Sequence, residues 1–425
     1  MNSNSAIKIA DGVEGLFIKN TRFNTTLISL NFYMPLENET VSKNAMLTYI
    51  LSTCSGRFGG FKEMNRHLNM LYGADVAVSA MPVGNTQLIR FVITAINDKY
   101  TLGGEKNVSD AADYLLSLLF EPRLENGVFF RDDLLRERRK MLEDLEAELN
   151  EKRNFARKRL KEEMFENDPF GLNKLGTSQA ISEITEAGLK KALDDMLKSA
   201  FLSVHAVGET LPEGLFEKIG EKFGAIKREN ITNCKILPAP KMRDTVKEVT
   251  DRMDVVQGKL VMGFTSSVYG DDNVSLPLMV AVDIFGGGPY SRLFSVVREK
   301  MSLCYYCSAS SVRSRGFVMV DSGLEADNAE KAKNEILNQL EIVKNGEFSD
   351  FEFNSSIKSI CGSLKSYNDS LSSVDLWYAL KIYNENLTAP EEMCEAVRKI
   401  TREEVIAAAK SISLNTVYML LPEAK

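Results

Sequence analysis

Histidine is what this sequence is short of. Its 425 residues hold two, His67 in RHLNML and His205 in LSVHAVG. They sit in unrelated elements, so no pair of imidazoles at i and i+4 can share one helical face and grip a zinc ion. Each reads as a satisfied structural histidine. A serine or cysteine mechanism would need one of them beside a nucleophile, and no GxSxG elbow accompanies either. Long apolar runs are also missing; none approaches the roughly 20 residues of a membrane span. Nor is there an excess of basic charge. With 52 Lys and Arg against 59 Asp and Glu, net −7, no nucleic-acid footprint is expected. The opening MNSNSAIKIADGVEG lacks a charged-then-apolar signal pattern. Six scattered cysteines (Cys54, Cys234, Cys304, Cys307, Cys361, Cys394) read as reduced thiols. The expectation is a cytoplasmic protein with neither a membrane nor a nucleic acid as partner. Cys304 and Cys307 form a CxxC, but no second CxxC and no histidine stand nearby, so they read as small buried residues of a strand.

The chain is long enough for two or three domains, and its 44% apolar residues are enough for real cores. Leu27–Met34 reads as a strand, Ser42–Cys54 as a helix with Ser42 at its N-cap, and Phe61–Tyr72 as a second helix. Ala74–Met81 and Thr86–Ile96 read as a hairpin. Ala111–Leu119 is helical. Phe130–Met164 is one long charged helical region whose buried stripe is Leu134, Met141, Leu142, Leu145 and Leu149. Its charges read as a solvated face. Leu202–Val207 is a strand.

The same order then recurs. Lys259–Phe264 is a strand, Leu276–Phe285 a helix, Val312–Gly323 holds strands, and Asp327–Lys344 and Asp350–Asn386 are helical. The ends match too: ISEIT before a helix and the strand Leu202–Val207, and VRKIT before a helix and Val417–Leu421, with Thr401 and Glu404 as a capping box. Self-similarity at half the chain length means a duplicated domain. The fold class is therefore α+β: two homologous halves, residues 1–226 and 245–425, each an antiparallel sheet covered by helices. Lys227–Asp244, carrying ILPAP, is the expected linker.

Gly286–Ser308, GGGPYSRLFSVVREKMSLCYYCS, opens with a backbone that must bend. A short apolar helix follows and ends in Arg298; Leu303 to Ala309 reads as the start of a strand. The glycines make neither a P-loop nor a dinucleotide fingerprint. A glycine bend, a short helix with a terminal Arg, and Tyr305 seven residues on resemble the C-half hallmark of the pitrilysin/insulinase-type (M16) zinc peptidases. LYGA (Leu71–Ala74) and DPFGLNKLGT (Asp168–Thr177) extend the resemblance over nearly the whole chain.

Active M16 members carry an inverted HxxEH motif. Threaded here it falls on Thr48-Tyr-Ile-Leu-Ser52: Thr48 and Ser52 replace the ligands and Leu51 the base, and the third ligand falls near Glu143 or Asp144. The resemblance thus implies a catalytically inactive subunit, closest to the bacterial YmfF-like branch, with zinc only in an HxxEH-bearing partner and no cofactor or metal of its own. It implies two halves arranged as a clamshell over a peptide. It assigns Arg298 and Tyr305, with Tyr306 as the alternative, to substrate and to a carbonyl developing negative charge. It places Gly286, Gly287 and Gly288 near the peptide, which would add as a strand to the edge Ala74–Met81 at Ala77 and Ser79. A heterodimer with that homologue is the expected assembly. A homodimer, and a purely structural or peptide-binding module, stay open.

Overall fold

The computed structural model describes residues 6–234, 243–384 and 387–423; the side chains of Leu149 and Asn273 are outside the description. The strands of the two large sheets are β1 (Ile7–Ala10), β2 (Val13–Lys19), β3 (Thr25–Pro35), β4 (Asp75–Val83), β5 (Thr86–Ile96), β6 (Phe201–Gly208), β7 (Lys247–Met253), β8 (Gly258–Ser266), β9 (Tyr306–Val312), β10 (Phe317–Leu324) and β11 (Ile412–Pro422). The helices that matter below are α1 (Val41–Leu51), α2 (Phe61–Met70), α3 (Asn107–Phe120), α4 (Arg131–Asn150), α5 (Lys152–Met164), α6 (Glu186–Ser199), α7 (Asp272–Gly286), α8 (Ala329–Lys344), α9 (Asp350–Ser366), α10 (Leu371–Ala379) and α11 (Arg402–Lys410).

Two sheets form. The first runs β1-β2-β6-β3-β5-β4, the second β7-β11-β8-β10-β9. Apart from β1 the two orders are the same: in each, the last strand of the half inserts between its first two. That insertion makes one parallel pair per sheet, β2 with β6 and β7 with β11. The remaining pairs are antiparallel, so the expected antiparallel sheet is a mixed one. The duplication is visible in the topology itself. It is local chemistry as well: Thr185 accepts from Gly188 N–H at the start of α6, and Thr401 from Glu404 N–H at the start of α11, where Glu404 returns the bond to Thr401 N–H.

The chain forms two compact units that do not follow chain order. The first takes in residues 6–146, Leu172–Cys234 and Asn368–Ile382; the second takes in Ala147–Gly171, the chain from Arg243 to Tyr367, and residues 383–384 and 387–423. Each half of the sequence thus lends one helix to the other unit: α5 packs on β8 and β11, and α10 packs on β3 and β6. The expected linker lies in part outside the described residues. Its earlier part is packed: Thr232 N–H donates to Ser199 O at 2.8 Å, and Cys234 is buried.

The core of the first unit is one face of its sheet, with Ile28, Leu30 and Phe32 of β3, Ile89, Phe91 and Ile93 of β5, and Leu202 and Val204 of β6, under α1, α3 and α6. Helix α1 begins after Thr40, not at Ser42, whose hydroxyl donates instead to Leu175 O at 2.9 Å. The long helical region is broken. Glu151, between α4 and α5, caps α5 by accepting from Arg153 and Asn154 N–H. Leu134, Met141 and Leu145 are buried as expected.

In the second unit Ala156, Leu160 and Met164 form one stripe of α5 against Val261, Tyr418 and Leu420. Gly263 of β8 admits that helix. A Cβ there would sit 2.5 Å from Met164 Sδ.

The charges of α5 are not a solvated face, as the sequence reading had it. Arg153 and Arg157 converge on buried Asp321 of β10, with Nε–Oδ2 distances of 2.6 and 2.8 Å. The mirror arrangement holds α10 on the polar face of the first sheet. Buried Asp375 accepts from Ser29 Oγ at 2.7 Å, from His205 Nδ1 at 2.7 Å, and from Arg90.

Candidate functional site

Helix α1 places the positions of the degenerate motif. The Thr48 hydroxyl donates back to Ala45 O at 2.7 Å, and the Ser52 hydroxyl to Tyr49 O at 2.9 Å. Such i−3 bonding satisfies both hydroxyls within their own helix turn. Leu51 is fully buried in the core. On α4, Asp144 accepts from Tyr49 OH at 2.8 Å, Lys140 lies over the Tyr49 ring, and exposed Glu143 pairs with Arg139. A threonine, a leucine and a serine beside one carboxylate are not a zinc donor set. Among the described residues no group of three His, Cys, Asp or Glu could hold a metal ion. These residues therefore do not fit the zinc that the fold implies.

Both histidines are occupied by the fold. His67 stacks on Phe58 at 4.2 Å between ring centroids and lies parallel to Tyr114; burial holds it below its ordinary pKa. The environment of His205 is one that sequence reasoning missed. Its Nδ1 meets Asp375, and its Nε2 lies 3.0 Å from Ser203 Oγ. This is the connectivity of a hydrolytic triad. Ser203 and His205 alternate onto the same face of β6, and α10 supplies the Asp. The three are 8%, 2% and 0% exposed, however, and Asp375 also serves Ser29 and Arg90. A buried Ser203 has no access to substrate, so the network is a packing lock. The sequence signal was weak: a Ser-x-His in a strand and an Asp 170 residues away.

Arg298 and Tyr305 come together. Residues Leu293–Lys300 are wound as a π-helix, a wide turn that recurs at functional sites. Leu293 and Val297 are buried, and the Arg298 side chain is 40% exposed with its guanidinium 4.6 Å from the Phe294 ring centre. Ser302, in the left-handed region at φ 50°, reverses the chain. Tyr305 then joins the sheet by donating its N–H to Gly323 O at 2.8 Å, and its ring is half exposed. A surface cavity of about 390 Å³ is lined by Arg298, Glu299, Cys304, Tyr305 and Glu325 among others. Arg298 and Glu299 lie 3.5 Å apart, and the Tyr305 phenol donates to Glu325, which holds it above its ordinary pKa. The cavity thus offers a guanidinium with N–H groups to donate, and a phenol whose one hydrogen is engaged by Glu325. Tyr306 faces elsewhere. Its ring lies under the Arg153 guanidinium at 4.2 Å and its hydroxyl reaches Asp321.

Gly286, Gly287 and Gly288 form the turn from α7 into the π-helix, where their contacts are with the protein itself. A Cβ would meet Ala309 N at 2.6 Å, Asp283 Oδ2 at 2.2 Å, and the Tyr290 ring at 2.8 Å respectively. Beneath them Tyr290 OH donates to Asp283 at 2.5 Å. Ala77 and Ser79 lie on β4, which among the described residues is an edge strand paired only to β5. Cys304 departs from expectation. Strand β9 begins at Tyr306, so Cys304 lies in the loop before it, part-exposed at the cavity, while Cys307 is the buried one.

The family model described as "Peptidase M16 inactive domain" matches residues 183–360. Over 421 residues the chain is 28% identical to "Probable inactive metalloprotease YmfF" of Bacillus subtilis (strain 168), covering 96% of each. Its fold is shared by a conserved protein from Enterococcus faecalis V583 (TM-score 0.92, 24% identity, 100% of both chains). It is shared too by a peptidase M16 inactive domain from Pseudomonas fluorescens (TM-score 0.82, 19% identity, 100% of this chain and 99% of that one). By sequence match over residues 183–360 and by fold, the chain resembles the inactive type of the peptidase M16 family, and its sequence holds no HxxEH motif.

Proposed function

We propose that this chain is the non-catalytic member of a two-subunit peptidase. It pairs with an HxxEH-bearing M16 homologue, helps enclose a peptide, and offers Arg298 and Tyr305 to the peptide backbone. One observation carries this reading: the α1 positions hold no zinc donors, while Arg298 and Tyr305, brought together by a π-helix and a left-handed Ser302, line one accessible cavity. Edge strand β4 supports it, because its outer N–H and C=O groups can receive an extended peptide alongside Ala77 and Ser79. Zinc would belong to the partner. No helix among the described residues is long and apolar enough to cross a membrane, and the pairing is read as cytoplasmic.

The test is co-expression with an HxxEH homologue from the same genome, followed by a peptide-cleavage assay with wild-type chain and with Arg298→Ala. Cleavage by the mixture should exceed that of the homologue alone and fall with the variant. A mixture no more active than the homologue alone, indifferent to Arg298→Ala, overturns the proposal. A second reading is a non-proteolytic peptide-binding or structural module. The Tyr305–Glu325 hydrogen bond favours it, since a carboxylate beside the phenol opposes a developing oxyanion. A stable complex that binds peptide yet cleaves nothing would support that reading.

A further inference from the structure

Helix α9 carries a glycine that its own packing does not require. Gly362 sits in the helix interior and is exposed, and a Cβ there would meet nothing within 4 Å. A glycine at such a position weakens the helix. What it leaves in return is open space for another backbone to approach. That space belongs to a surface groove of about 410 Å³, lined among others by Ile357, Lys358, Cys361, Gly362 and Lys365 of α9 and by Arg398. Arg398 follows the helix Pro390–Val397, which packs beside α9. The Cys361 thiol donates to Cys394 O at 3.5 Å and closes the seam between the two helices.

In a chain of net charge −7, every charged residue of this lining is a cation. Among the described residues neither Lys358 nor Lys365 has a carboxylate partner. Arg398 pairs with Glu395 at 2.6 Å, but the two side chains are 48% and 61% exposed, and pairs of that kind are worth little. Glu391, Glu392 and Glu395 of the neighbouring helix do not line the groove. Phe351, Lys358, Gly362 and Lys365 follow one another at intervals of seven, four and three residues, so they share one face of α9. The Phe351 ring is 71% exposed. The face therefore runs from an uncovered ring, past the open glycine, to an unpaired lysine, over about 21 Å of helix axis.

We propose that this face of α9 is a docking surface for an acidic helical segment of another protein. The segment lies along the groove with its backbone close to Gly362. Its carboxylates meet Lys358, Lys365 and Arg398, and an apolar residue at one end covers Phe351. Charge complementarity selects the occupant, because the groove presents cations with no carboxylate in its lining. A helix suits it because carboxylates at i, i+4 and i+7 of the segment fall on one face, the same periodicity that aligns the two lysines. A single helix face is a small interface, so the contact is a transient one. None of these residues lines the cavity of Arg298 and Tyr305, and the inference does not rest on the peptidase reading.

The test uses the full chain and a fluorescein-labelled synthetic helix with a glutamate-rich face and one terminal leucine, read by fluorescence anisotropy. The wild type should bind this peptide, and binding should fall steeply between about 0.05 and 0.5 M salt. Lys358→Glu combined with Lys365→Glu should weaken binding roughly tenfold or more. Gly362→Leu should weaken it by a similar factor while raising the thermal midpoint, since leucine fills the groove yet favours the helix. Those opposite movements separate a filled groove from a damaged fold. The proposal is overturned if Gly362→Leu binds as tightly as the wild type, or if the same peptide with lysine in place of glutamate binds equally well. A single-stranded oligonucleotide of equal charge that binds as tightly overturns it too. So does concentration-dependent dimerisation of the chain, measured by sedimentation, that the double lysine variant abolishes, because the occupant would then be a second copy.

Discussion

Asp375 and His205 stand 170 residues apart in the chain and share a 2.7 Å hydrogen bond inside the first unit. Asp375 arrives on α10, a helix lent by the second half of the sequence, and finds Ser29, Arg90 and His205 waiting on three adjacent strands. Removing one member of a buried charged network leaves the others unpaired, at a cost of about 3–5 kcal/mol. Asp375→Ala should therefore lower the denaturation midpoint of the first unit by an equivalent amount. Ser203→Ala, which leaves the charges paired, should cost about 1 kcal/mol. Urea unfolding followed by far-UV circular dichroism checks both.

The same carboxylate predicts an acid limb. Burial alone would raise its pKa, but the hydrogen bond from His205, the charges of His205 and Arg90, and the Ser29 hydroxyl outweigh it and hold Asp375 below the usual carboxylate range. The unfolded chain then binds a proton that the folded chain refuses. The resulting stability is fully present above about pH 4 and is lost as pH falls through the lower folded value. Asp283, which burial holds above its usual value, slopes the other way. Asp375→Asn should flatten the acid limb and leave the Asp283 contribution in place. Denaturation midpoints across about pH 3 to 6 measure it.

Arg298 and Tyr305 are exposed and carry no core packing. Arg298→Ala and Tyr305→Phe should change stability by no more than about 0.5 kcal/mol. Their effect should appear in peptide cleavage by the mixed subunits. A matching loss of stability would make the cavity a structural feature instead.

Rebuilding the metal motif should fail. Leu51 is wholly buried and Thr48 is 7% exposed, both in the core of the first unit. Leu51→Glu places an unpaired carboxylate there, and should cost about 3 kcal/mol or more. The triple variant Thr48→His, Leu51→Glu, Ser52→His should fold poorly and hold less than stoichiometric zinc. Elemental analysis after dialysis, with thermal denaturation, checks it.

Gly263 lets α5 lie against β8. Gly263→Val should overpack that contact and cost about 1–3 kcal/mol, and Gly263→Ala should cost less because Met164 is flexible. Denaturation midpoints of both variants, compared with the wild type, check the order.

The sequence alone determined what rests on short-range periodicity and on counting. Alternating apolar residues marked β3, β5 and β8, and a Thr-x-x-Glu pattern marked the start of α11, because those signals act within a few residues. Two histidines sufficed to remove HxxEH, because a ligand absent from the chain cannot be restored by folding. Only the tertiary structure decided which unit owns α5 and α10. The charges of α5 look solvated in sequence, and the partners, Asp321 for Arg153 and His205 for Asp375, lie 168 and 170 residues away. It also decided that Arg298, Tyr305 and Cys304 share a cavity while Tyr306 and Cys307 do not, since that sorting hangs on the backbone reversal at Ser302. Burial of charge and the direction of a side chain are properties of the packed chain, and no local spacing encodes them.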